Sequence, residues 1–450
     1  MSVSKEFARY ILNVHFENLP QEVIGAAKRC VLDWLGSAIA GANQSPIQII
    51  RQVAEEMGGA AQATKVTGGQ SSVALAALVN GASSHIVELD DIHKASIIHA
   101  GTVVIPAALA MAEWKARSGK ELIEAVVAGY EVCYRVGEAV SPSHYYHWHN
   151  TATCGTFGAA AAAAKLLDLG DEQIVHALGN AGTQAAGLWE FIVDGSMSKQ
   201  LHPGKAAMNG ILAALLAEKG FTGASRILEG DRGFIKAMSA EDKPHCLTEG
   251  LGAVYKIMEN SFKIHASCRH THHAIDLVLE LSAQNRLQPV DVESIRVKTY
   301  QVALNITDNS KPDSVYAAKF SLQFCTALAL VRKRAGLSDF TEETLYDSKI
   351  RELMKRVEVV VEPEIDAHYP ETWGATVEIV KTDGSILHKH AEYPKGDPEN
   401  PVSESEIVAK FRYLAAHLPP ETVERFVRTV GELEHLGDVR EFFPAGEGAK

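Results

Sequence analysis

The 450-residue chain lacks any pairing of its cysteines: the six, at positions 30, 133, 154, 246, 268 and 325, stand far apart with no C-x-x-C. That spacing excludes a disulfide framework and a zinc ribbon. The chain also lacks an apolar run of the roughly 18 residues a membrane span needs, free of charge and glycine. Its first ten residues carry Lys5, Glu6 and Arg9 and no signal-peptide core. These absences give the expectation of a cytoplasmic protein in a reducing compartment. There is no excess of positive charge either. A net charge of −13 argues against nucleic acid or an anionic membrane as partner. It does not exclude an anionic substrate, because a site can be locally basic. Internal repeats and low-complexity linkers are absent too.

What remains is ordinary globular usage, 46% apolar and 22% charged, over a length that predicts two domains. Residues 1 to about 262 are Ala-rich and carry six prolines, at 20, 46, 106, 142, 203 and 244. Apolar residues recur at helical spacing over 22–35, and 71–87, 121–138 and 205–219 read as tightly packed helices. An apolar helix is expected to begin near Pro106. The run Ala159 to Ala164 lets helix axes approach closely. From about 285 to 395 the texture changes. Ser294 to Tyr300 alternates like a half-buried strand, Val357 to Glu362 is β-branched, and Ala375–Val380, Asp383-Gly384 and Ile386–His390 spell a hairpin. Ala317 to Arg334 reads as one helix. Pro394 to Pro401 is the clearest connector. Residues 402–436 return to helical pattern and should pack back on the helical domain. The predicted fold is mainly α: an all-helical domain from 1–265 and 396–450, and an α+β domain over 266–395.

Four constellations could carry chemistry. In the first, Glu88, Asp90, Asp91, His93 and His99 lie within twelve residues beside apolar helices. Such a cluster is either an acid/base group or a solvated loop. The second runs from His144 through His147 and His149 into the Ala-rich helix. A histidine at a helix start can be poised near neutral pH. The His147-x-His149 spacing also admits a zinc reading, weakened by the want of a spaced carboxylate or cysteine partner. The third is Lys199 to Ala207. Pro203 suits the first turn of the following helix, so that free N–H groups, His202, Lys199 and Lys205 would cradle a carboxylate. The alternative is a basic cap in water. The fourth, Lys263 to His273, holds Lys263, Cys268, Arg269 and four histidines at the junction of the two textures.

Seven stretches together resemble the MmgE/PrpD family: AKRCVLDWLGSAIAG, ELDDIHKASIIHAGTVVIPAALAMAE, WHNTATCGTFGAAAAAAKLL, the segment from Ser196 to Phe234, KIHASCRHTHHAID, AKFSLQF and YPKGDPENPVSESEIVAKF. They occur in family order from about residue 5 to 435. The family contains 2-methylcitrate dehydratases, cis-aconitate decarboxylases and iminodisuccinate epimerases. The resemblance implies a helical domain made from both chain ends, a smaller α+β lid, a cleft between them, a homodimer, and no required metal or organic cofactor. It also implies roles for Glu88, His99, His149, Lys199 and Lys263. Departures stand beside these matches. Ala100 follows His99 where many relatives have proline, Ile92 stands where threonine is common, and Cys268 stands where decarboxylases resembling the animal enzyme carry histidine. The substrate stays open on this reading.

The reactions of the family share one demand, because each builds carbanion or enolate character next to a carboxylate. They need cations to neutralise that charge and one or two groups that exchange protons near pH 7. The expected proton-transfer groups are His99 and His149, with Glu88 and Asp91 orienting them. Lys199, Lys263, Arg269 and His202 are the expected carboxylate contacts, with Cys268 and His93 as further substrate-binding positions. The leading expectation is a cofactor-independent lyase, a decarboxylase or dehydratase of a small di- or tricarboxylic acid. The alternatives are an epimerase of an amino- or imino-dicarboxylate, an inactive binding protein of the same fold, and a zinc hydrolase.

Overall fold

Small residues decide how the helices of this chain approach one another. The computed structural model describes residues 2–241 and 243–443. They divide into two units: 2–86, 90–241, 243–260 and 403–443 form the first, and Val87–Leu89 with Ser261–Val402 the second. No helix among the described residues is long and apolar enough to cross a membrane.

The larger unit is helical. Its central elements are α1 (Gln21–Gly41), α2 (Val73–His85), α3 (Gly101–Lys115), α4 (Gly119–Val140), α5 (Asn150–Leu166) and α6 (Ser198–Glu218). Helix α4 starts where Ser118 and Glu121 form a capping box, which meets two N–H groups that the helix cannot pair itself. Gly129 of α4 faces Gly158 of α5 so closely that a Cβ on either would lie within 2.9 Å of the other's carbonyl oxygen. Gly81 of α2 and Gly204 of α6 make a similar contact: a Cβ on Gly81 would lie 2.8 Å from the Gly204 Cα, and one on Gly204 would land on the Leu78 carbonyl oxygen. The expected close approach over the Ala run is observed, with Ala159 to Ala164 fully buried. Helix Glu404–Leu414 returns to this unit, placing Phe411 and Leu414 against Gly36 of α1.

Two helices begin earlier than their prolines indicate. Pro106 and Pro203 both lie inside helices, each at the sixth residue. The first four N–H groups of a helix have no intrahelical acceptor. A proline just beyond them removes one bond, to the residue four earlier, which close helix packing can offset. The N-terminus of α6 therefore lies at Ser198, not at Pro203. The expected cradle of free N–H groups around Lys205 is not formed there, and Lys199 stands in the first turn instead.

The smaller unit holds the four-stranded sheet. Its elements are α7 (His272–Asn285), β1 (Val292–Thr299), α8 (Val315–Ala318), α9 (Leu322–Arg332), β2 (Val357–Val361), β3 (Ala375–Lys381) and β4 (Ile386–Ala391). The strand order is β2-β1-β3-β4, with β1 parallel to β2 and antiparallel to β3, and β3–β4 the predicted hairpin. The single helix expected over 317–334 is two, because the Ser321 side chain accepts from the Phe324 N–H and caps a new start. Nor is Pro394–Pro401 a mere connector. Asp397 within it is fully buried and ion-paired with Arg269, and Gly396, at φ +97°, packs on the Phe262 carbonyl.

Candidate active site

Four imidazoles meet inside the larger unit. His85 comes from the last turn of α2, His99 from the loop before α3, His149 from the N-cap of α5 and His202 from the second turn of α6. Ring centroids are 5.0 Å apart for His85–His99, 5.6 Å for His85–His149 and 5.3 Å for His149–His202. All four are buried. The reading of residues 88–99 as a solvated loop is thus overturned, since Asp90, Asp91, His93 and His99 are all buried.

Hydrogen bonds fix these rings. Asp90 Oδ2 takes His85 Nδ1 at 2.8 Å and His99 Nδ1 at 2.9 Å, and His99 Nδ1 also meets the Asp91 carbonyl at 2.7 Å. His149 Nδ1 lies 3.1 Å from His202 Nδ1, so one ring donates and the other accepts. The His149 N–H donates to the Gly187 carbonyl at 2.9 Å, and Trp189 stands edge-on to its ring at 5.3 Å. Burial pushes His149 well below the usual histidine range, with His202, His85, Lys199 and His99 adding to the effect. Burial, His85 and the lysines Lys205 and Lys199 push His202 down to about 4. Neutral imidazoles near a buried lysine make a site that can accept protons, and one that an anion would recharge.

Asp91 faces a different environment. Its carboxylate accepts from Tyr130 Oη at 2.7 Å, Asn260 Nδ2 at 3.0 Å and the Gly101 N–H at 3.0 Å. Burial, with Asp33 and Asp90 nearby, nonetheless lifts this carboxyl to about 7, against the bonds from Tyr130 and Gly101. Between its ordinary value of 3.8 and about 7 the folded chain keeps a proton that the unfolded chain releases. The stability this group contributes is therefore lost as pH rises through that range. His202 acts in the opposite sense. The unfolded chain binds a proton that the folded chain refuses, so stability is lost as pH falls from 6.5 toward about 4. Asp91→Asn removes the first effect alone. Its thermal midpoint should fall more steeply than the native one on acidification from about pH 7 to about pH 4. Parallel profiles would rule out a raised Asp91.

Among the described residues, His93 does not join the four rings through any of its contacts. It stacks on Tyr134 at 4.2 Å and bonds Ser96 Oγ at 2.8 Å and Glu259 at 3.1 Å. His147 is exposed while His149 is buried, so the pair cannot form the zinc chelate that its spacing allowed. His85, Asp90 and His99 stand close enough to share a cation, as do His93, Glu138 and Glu259. In the first set both imidazoles already bond the Asp90 oxygen. In the second, Lys256 Nζ lies 2.8 Å from Glu138 and 3.1 Å from Glu259. Bonds within the chain account for both arrangements, and neither is assigned to a metal.

The smaller unit contains Glu88, Lys263, Cys268 and Arg269. Glu88 adopts φ +59°, unusual for a non-glycine residue, and its carboxylate lies 3.4 Å from Lys263 Nζ, with both side chains buried. Tyr316 Oη approaches the other oxygen at 3.5 Å. Arg269 is held by Asp397, the His272 ring at 3.0 Å and the Lys395 carbonyl at 3.2 Å. Cys268 is buried, and its N–H donates to the Lys319 carbonyl at 2.9 Å.

Sequence reasoning singled out neither His85 nor Trp189, and it put weight on Asp91 where Asp90 holds the rings. A signal existed for the first: His85 stands five residues before Asp90, at the end of a helix whose other residues, Asn80 apart, are small or apolar.

Two family models match the chain, the MmgE/PrpD N-terminal domain over residues 5–247 and the MmgE/PrpD C-terminal domain over residues 265–435. Similar proteins include the cis-aconitate decarboxylase of Aspergillus terreus, 29% identical over 97% of this chain and 94% of that protein. The human cis-aconitate decarboxylase is 27% identical, over 97% and 93%. The mitochondrial 2-methylcitrate dehydratase of Yarrowia lipolytica is 25% identical, over 71% and 66%.

Proposed function

The chain belongs to the MmgE/PrpD family, and on that footing we propose that it is a lyase acting on a small di- or tricarboxylic acid, with cis-aconitate decarboxylation as its best-supported reaction. The observation that carries this is the buried four-histidine cluster beside Lys199. Decarboxylation breaks the bond from carbon to one carboxylate and leaves its electron pair on carbon. That carbon then takes a proton, so each turnover releases carbon dioxide and consumes one proton. Lys199 serves as the contact for a substrate carboxylate beside the rings. His149 and His99 exchange the proton. A polyanionic substrate raises the proton affinity of imidazoles that burial keeps neutral, so binding itself loads the acid that the carbon needs. The nearly full-length likeness to the decarboxylases, against 71% coverage by the dehydratase, favours decarboxylation over dehydration.

Incubation with cis-aconitate in D₂O, followed by proton NMR, tests the reading. Itaconate with deuterium on carbon is expected. Hydrated products would move the assignment to a dehydratase. Exchange without change of formula would point to an epimerase, and no exchange with any candidate acid to a binding protein.

The enzyme is further read as a cytoplasmic homodimer. Leu188, Ile192, Val193, Met197 and Leu201, all within fourteen residues, are exposed apolar side chains. Such a patch fits a second copy of the chain. Phe191 in the same segment packs on His149 with ring centroids 6.3 Å apart, so an interface here would brace the site wall. Light scattering should give twice the chain's 48.6 kDa, and Val193→Asp should shift the protein toward monomer. A native monomer would end the dimer reading.

A further inference from the structure

His85 has no role in the reaction as described above, yet it is the most deeply enclosed of the four rings. Asp90 Oδ2 accepts from two imidazoles at once, His85 Nδ1 at 2.8 Å and His99 Nδ1 at 2.9 Å. A carboxylate oxygen only accepts, so Nδ1 carries the hydrogen in both rings and Nε2 carries the lone pair. The His85 Nε2 is buried and has no hydrogen-bond partner among the described residues. A buried acceptor left unpaired is unfavourable and rare, which marks it as a place where a proton or a donor arrives. The ring also lies close to two neighbours, 5.0 Å from His99 and 5.6 Å from His149, with its plane 27° from that of the latter.

We propose that His85 is a positioning residue of the proton-transfer site: it shares the Asp90 carboxylate with His99, and beyond their two Nδ1 hydrogens the two imidazoles hold one further proton between them. This rests on the lyase reading above for its role in turnover, but not for the sharing itself. Two imidazoliums 5.0 Å apart on one carboxylate repel each other, so the charge of one opposes the charge of the other. Other groups face the pair from every side. Asp91 lies in the same loop, with Asp33 of α1 behind it; His149 stands at the N-cap of α5; His202 and Lys199 come from α6. Asp90 touches both rings through its side chain. The proton that reaches the product carbon comes from the pair, and the pair regains one from solvent. No other atom or electron changes hands.

The test is an NMR titration of histidine Cε1–H signals in the full-length protein without substrate, with His99 identified by its loss in His99→Gln. The native His99 signal should titrate in two steps. In His85→Asn, whose amide can still donate to Asp90 but cannot take a proton, it should titrate in one step with a higher midpoint. A single native step, unchanged in the variant, would overturn the proposal. Should His85→Asn fail to fold, the native two-step curve alone decides. With cis-aconitate, the variant should lose about tenfold in kcat with KM within about twofold, and the acid limb of its pH profile should move upward. If the native protein does not turn over cis-aconitate, the lyase reading fails while the titration still decides the sharing.

Discussion

At saturating cis-aconitate, His149→Ala should turn over at least about 100-fold more slowly than the native protein, the usual contribution of a positioned acid or base. The expectation follows from where the ring is held. Its backbone N–H is tied to the Gly187 carbonyl, its Nδ1 to His202, and its face to Trp189. Burial keeps it neutral until an anion arrives. His149→Gln, which retains bulk and hydrogen bonding but cannot titrate, should be as slow as the alanine variant. Retention of more than about a tenth of native activity in either, with native circular dichroism, would remove His149 from the proton-transfer step.

The second large effect concerns stability. Gly204→Ala should lower the thermal midpoint by roughly 5 °C or more, as expected for overpacking by about 3 kcal/mol. The added Cβ would land on the Leu78 carbonyl oxygen, a backbone atom that cannot rotate away. Helix α6 would have to move off α2, and these two helices carry His202 with Lys199, and His85. Activity should fall more than stability alone explains, because the rings would lose their spacing. Gly25→Ala in α1 is the control. Its nearest neighbour is the flexible end of Arg29 at 3.4 Å, so the gain in helix propensity should leave the protein unchanged or up to about 1 kcal/mol more stable. Equal melting of the two variants would mean that the α2–α6 contact is softer than it looks.

The elements legible in the sequence were those whose signal is local. The Asp383-Gly384 turn between alternating strands is observed as the β3–β4 hairpin, and the period over 121–138 as α4. The errors arose where packing outweighs a local rule. Pro106 and Pro203 read as helix starts because proline is favourable in a first turn, yet both sit in the second turn. Ser321 gave no periodicity signal, though its hydroxyl ends one helix run and begins another. In the site, the residue types were legible but their assignments were not. His147 and His149 look equivalent in sequence, and only the turn into α5 sends one to solvent and the other inward. Asp90 and Asp91 are adjacent carboxylates, and three-dimensional neighbours alone decide that the first holds two imidazoles while the second meets a tyrosine and an asparagine.

The smaller unit is built from two separate pieces of chain, Val87–Leu89 and Ser261–Val402. The three-residue piece supplies the Glu88 carboxylate to Lys263, and the Val87 carbonyl accepts from Lys319 Nζ at 2.9 Å. A polypeptide spanning only 261–402 would leave two buried ammonium groups without these oxygens, a strongly destabilising change. The unit therefore cannot be excised as a contiguous cassette or grafted whole onto a relative. A chimera that exchanges it has to carry residues 87–89 from the same parent, and recombination between those two stretches brings together halves that have never been matched.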